Sequence, residues 1–110
     1  MLANIRAEDF VPLIGSTCHF KRQELGDIQL RILAVRPRPL AQMTDGKARR
    51  TPFVVELACE PAPGLTDSLG DLRLPEAPDT PARQLPQVWI GRVIPAGRDP
   101  ALAYFQLPFN

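Results

Sequence analysis

Apolar and polar residues alternate with a period of two along most of the chain, which is the pattern of half-buried strands rather than helices. In TCHFKRQE the apolar Cys18 and Phe20 alternate with Thr17, His19 and Lys21, predicting a strand over 17–24. IQLRILAVR repeats the pattern over 28–36, with Ile28, Leu30, Ile32 and Ala34 on one face; Gly26 and Asp27 between the two runs read as a hairpin turn. Pro37 and Pro39 end that strand, because proline cannot donate to a ladder. PFVVELAC predicts a third strand over 52–59, with Phe53, Val55, Leu57 and Cys59 to one side and Val54, Glu56 and Ala58 to the other. A shorter strand follows over 69–74, and QVWIGRVI over 87–94 is apolar on both faces, the mark of an interior strand. AGRDP turns the chain into a last strand over 102–109. Only the first residues depart from this period: Asn4 is placed to cap a short helix over about 4–14, closed by Pro12 and Gly15, with Phe10 and Leu13 on its buried side.

Six strands with no helical segment between consecutive members cannot pair in parallel, since a parallel connection needs a crossover. The expectation is therefore an all-β, mostly antiparallel barrel or sandwich with a short N-terminal helix, one domain over 1–110. The closing stretch YFQLPFN is too apolar for a loose tail: Ala103, Phe105, Leu107 and Phe109 share one face, Leu102 and Tyr104 the other. It reads as a strand that closes the sheet against an N-terminal strand.

Composition sharpens this outline. Thirteen prolines in 110 residues are more than twice the usual share of about 5%, so the chain is cut into short segments. PEAPDTPARQLP, from Pro75 to Pro86, carries four of them and reads as an extended loop. A net charge of +1 makes no electrostatic case for nucleic acid or an anionic membrane as partner. MLANIRAEDF lacks the apolar core of an export signal, and no apolar run approaches the ~20 residues of a spanning helix. A cytoplasmic location follows as the expectation.

Candidate chemistry is sparse. Two cysteines and one histidine are too few for a zinc site, so Cys18 and Cys59 read as reduced core thiols. Cys18 and His19 are neighbours on a strand and point to opposite faces, which argues against a nucleophile–base pair. Glu56, Asp67 and Asp71 read as strand-face and turn residues rather than paired catalytic carboxylates. Gly64, Gly70 and Gly91 are too widely spaced for a phosphate cradle. No cofactor or metal is expected, nor an enzyme. For Trp89, the single tryptophan, core packing is the first expectation, an interface anchor the second and a ligand-stacking platform the third. The most concentrated charge is basic: Arg36, Arg38, Lys47, Arg49 and Arg50 flank or occupy the connection between the second and third strands. These five are the candidate partner-binding residues, suited to phosphate or an acidic protein surface, with a solvated hairpin tip as the plainer reading.

A non-enzymatic protein-binding module is the reading that results, with self-association through an edge strand as a variant. The alternative is a small barrel holding an apolar ligand, against which stands the narrow bore of a six-stranded barrel.

The order DFVPLIGSTCHF, PFVVELACEP, LTDSLGDLRL, VWIGRVIP and YFQLPFN resembles a family of small bacterial all-β domains of unknown function. Those sequences place an aromatic and a leucine before an early glycine, a Pro-Phe strand in the middle and a Tyr-x-x-x-x-Phe-Asn ending. The resemblance covers nearly the whole chain, and its motifs are structural. It implies an assembly role, since such domains are often encoded beside proteins resembling phage tail-collar fibres. The longer proline loop at Pro75 to Pro86 departs from the pattern.

Overall fold

Period-two alternation becomes six strands in the computed structural model, which describes residues 5–22, 26–37, 52–60, 67–77 and 81–109. The strands are β1 (Thr17–Arg22), β2 (Gly26–Pro37), β3 (Phe53–Cys59), β4 (Ser68–Leu74), β5 (Arg83–Val93) and β6 (Ala103–Phe109), preceded by helix α1 (Ala7–Phe10) and a 3₁₀ turn (Val11–Leu13). They form a closed barrel in the order β1-β2-β3-β6-β5-β4, and every neighbouring pair is antiparallel. Of the two architectures the sequence allows, it is the barrel.

Three expectations are corrected. Gly26 and Asp27 belong to β2 rather than to a turn: Gly26 pairs with Arg22 and Asp27 with Lys21. The glycine supplies the φ of +79° with which the strand begins. Second, β5 starts at Arg83, inside the stretch read as a proline loop. Gly70 pairs with Val88 and Leu72 with Leu85, so Pro86 and Gln87 together face Asp71 in a bulge. A bulge tolerates a residue without an N–H. The N–H of Gln87, at φ +53°, donates instead to Asp71 Oδ1 at 3.1 Å. Third, β6 does not pair with an N-terminal strand. It pairs with β3 from Phe53↔Phe109 to Cys59↔Ala103 and with β5 from Gly91↔Gln106 to Val93↔Tyr104; the ring closes between β1 and β4.

Alternation puts Phe20, Leu30, Ile32, Val55, Leu57, Leu72, Ile90, Phe105 and Leu107 inside, all fully buried. Gly70 lets β4 approach β1, since a side chain there would run into the Lys21 carbonyl and the Phe20 ring. One end of the barrel is plugged by aromatic rings. Phe109 stacks on Phe53 with centroids 4.8 Å apart, and Phe10 from α1 lies 5.6 Å from Phe109 and 6.0 Å from Phe53. Helix α1 starts after Arg6, whose N–H donates to Asp9 Oδ2 at 2.8 Å. The expected cap Asn4 lies outside the described residues. Arg83 at the start of β5 reaches the same Asp9 at 3.5 Å, fastening helix to wall.

Candidate functional site

The outer wall carries the chemistry, because the interior is filled by the chain's own side chains. Of the five basic residues singled out in the sequence, Arg36 is described; Arg38, Lys47, Arg49 and Arg50 lie outside the described residues. Arg36, near the end of β2, forms an ion pair through Nε with Glu56 Oε2 on β3. The other oxygen of Glu56 accepts from Arg98 Nη1 at 2.8 Å. Arg98 also donates to the carbonyls of Pro95 and Ile94 and lies 4.1 Å from the centroid of the Tyr104 ring. Glu56 is thus a structural staple that holds the turn after β5 against the wall.

The plugged end presents a different surface. Leu13 and Phe10 are buried, while Val11, Pro12 and Ile14 between and beside them face solvent. Pro37, where β2 ends, pairs with Phe53, whose ring packs against Phe10. The apolar knob and the root of the basic connection therefore share one end of the barrel.

Trp89 is not in the core. Strand β5 turns Val88 and Ile90 inward and Trp89 outward, where it is 42% exposed. Its cross-strand partner is Leu69, 59% exposed, so two large apolar side chains sit side by side on the outer wall. The indole lies back along its own strand: a side chain at Gly91 would collide with Cη2, Cζ3 and Cζ2 of the ring, and Gly91 is buried beneath it. The signals were present in the sequence. Leu69 has the parity of Asp71 and Arg73, and a glycine two residues after a tryptophan in a strand leaves room for the ring.

Further along the outer faces of β1, β2, β4 and β5 runs a polar cleft of about 270 Å³ lined by His19, Lys21, Asp27, Asp71, Arg73 and Gln84. A second, more apolar hollow of about 400 Å³ lies between β2 and the end of β3, walled by Ile28, Leu33, Ala58 and Leu102 with Cys59 and Arg31 on its lining.

The remaining candidates fall to structural roles. Cys18 and Cys59 are both free. Burial pushes the Cys18 thiol up to about 12. Cys59 is only half-buried, so it is not the core thiol the sequence suggested; burial raises its pKa while Arg92 and Arg22 pull against that shift. Asp67, just before β4, accepts the Arg92 N–H at 2.7 Å and Asp71, in the middle of β4, that of Gln87, so both carboxylates brace β4 to β5. Among the described residues no group of three or more His, Cys, Asp or Glu side chains is placed to hold a metal, and no helix is long and apolar enough to cross a membrane. No family model, curated protein or solved structure matches the chain.

Proposed function

We propose that the protein is a non-enzymatic binding module that docks a protein partner through the plugged end of its barrel, as an accessory to assembly. The observation carrying this reading is the exposed Val11, Pro12 and Ile14 knob, held on a plug whose own anchors Phe10 and Leu13 are buried. A rigid apolar centre rimmed by arginine is the composition of a protein interface core. The connection that leaves β2 at Pro37 carries Arg38, Lys47, Arg49 and Arg50 in its sequence, the basic composition such a rim calls for. A fibre-like partner is the kind that the sequence resemblance implies. Every one of the six described strands is paired on both sides, so self-association by strand addition to a free edge is not carried forward.

The test is reconstitution. A protein recovered with the tagged chain from its native cells is purified and titrated against wild type, a Val11→Asp/Ile14→Asp variant and an Arg49→Glu/Arg50→Glu variant. Each pair should weaken binding by at least roughly tenfold, about 1.4 kcal/mol, with the unfolding midpoint nearly unchanged. Undiminished affinity in both variants removes the plugged end as the interface. The alternative of an apolar ligand held inside the barrel draws no support from an interior occupied by Phe20, Leu30, Leu57 and Phe105.

A further inference from the structure

Trp89, Leu69 and the neighbouring polar cleft form a surface that the docking reading does not use. The indole is laid flat along β5 over Gly91, with Leu69 opposite. Neither side chain contributes to the core, and the pair is too small for a stable protein interface: two half-exposed side chains offer roughly 200 Å², against ~800 Å² a side for a typical complex. A flat apolar plate of this size matches one face of a ring-shaped ligand.

The cleft says which ring. It starts one step further along the wall: Asp71 follows Leu69 on the same face of β4, and its Oδ1 fixes Gln87, two residues before Trp89 on β5 and on the side of Trp89 opposite the Gly91 that the indole covers. Its two cations, Lys21 and Arg73, are balanced by two carboxylates, Asp27 and Asp71. A net charge would therefore gain nothing there, which excludes a phosphate or polyanion as the best-matched ligand. Among the described residues, the side chains of His19, Lys21, Asp27, Arg73 and Gln84 form no ion pair or hydrogen bond with one another. Among the described residues, donors and acceptors of both kinds thus stand close together without a partner, an arrangement suited to hydroxyl groups, each of which both donates and accepts.

We propose that this face binds a neutral oligosaccharide, with the apolar face of one pyranose ring on Trp89 and the hydroxyls of sugar residues further along the same chain in the cleft, reaching Asp71, Arg73 and Gln84. An apolar platform with a few convergent polar groups is the general make-up of small-ligand sites. The occupant is a neutral sugar rather than a proline-rich peptide because the cleft offers acceptors, Asp27 and Asp71, as well as donors, and proline residues bring carbonyls but no N–H to answer the carboxylates.

Trp89 is the only tryptophan in the chain, so its fluorescence reports on this face alone. The full-length protein is titrated with chitohexaose, cellohexaose, maltohexaose and mannohexaose at millimolar concentrations. At least one should shift the emission saturably. Arg73→Ala and Asp71→Asn, checked for wild-type circular dichroism, should each weaken that response by roughly tenfold or more. Trp89→Ala, followed by calorimetry, should abolish binding. The Val11→Asp/Ile14→Asp variant should bind sugar as wild type does, which keeps this proposal separate from the docking surface. No saturable shift with any of the four saccharides overturns it, as does an unchanged affinity in both cleft variants or a response to a polyproline peptide alone.

Discussion

Cys18 shows how much one position on one face decides. Alternation in TCHFKR places it inside and His19 outside, and the structure buries the first and exposes the second. Burial holds its thiol protonated up to about 12, against an ordinary value of 9.0. Below pH 9 the folded and unfolded chains both keep the proton, and stability is unaffected by this group. Between 9 and about 12 the unfolded chain loses the proton and the folded one keeps it, so stability should fall by about 1.4 kcal/mol per pH unit. Urea midpoints measured from pH 8 to 10.5 on wild type and Cys18→Ala should show a shallower fall in the variant; equal slopes would refute the assignment. Trp89 marks where residue-scale reading stopped. Its neighbours are apolar on both sides, and hydrophobicity alone sent it to the core. Parity with Gly91 and pairing with Leu69 place it outside, and only the register of β4 on β5 brings that pair together.

At the scale of elements, the C-terminal strand and the N-terminal helix are one device. YFQLPFN reads from sequence as a strand with Phe109 inward, and so it is; its partners were misjudged because pairing between distant strands leaves no mark in local alternation. Phe109 closes the barrel by stacking on Phe53 beneath Phe10. Phe109→Ala should cost ~3–5 kcal/mol, a large part of the ~5–15 kcal/mol available to a small domain, and urea denaturation will measure it. A loss under about 1 kcal/mol would mean that the plug does not seal the end. Strand β5 teaches the opposite lesson about proline. Four prolines from Pro75 to Pro86 argued for a loop throughout, yet β5 begins at Arg83 because Pro86 sits in a bulge where no ladder N–H is required. Proline frequency located the interruptions but not their kind.

For the whole molecule, strand number and antiparallel pairing were readable, because they follow from period and from the absence of helical connections. Barrel against sandwich was not, since both bury one face of every strand. The ring is decided by the ladder from β1 to β4 and by that from β3 to β6, whose residues lie roughly fifty positions apart along the chain. Such non-local pairing should make refolding slow, in the millisecond-to-second range typical of β topologies rather than the microseconds of helical bundles. Stopped-flow dilution from urea, followed by far-ultraviolet circular dichroism, would check this; completion within the dead time would contradict it. The candidate surfaces were legible only in part for the same reason. The basic cluster is contiguous in sequence and was visible, whereas the cleft from His19 to Gln84 is assembled by closure.

Glu56 joins three segments that sequence keeps apart: β2 through Arg36, its own strand, and the turn after β5 through Arg98. In a chain whose two cysteines are free, that carboxylate acts as a non-covalent cross-link. It also changes how a protease meets the molecule. Asp99 and Pro100 sit on an exposed turn, but Arg98, the residue trypsin would need to extract, has its guanidinium committed to Glu56, two carbonyls and the Tyr104 ring. Trypsin must break the staple before it can read the site, so this exposed turn is sheltered from the enzyme best matched to its sequence.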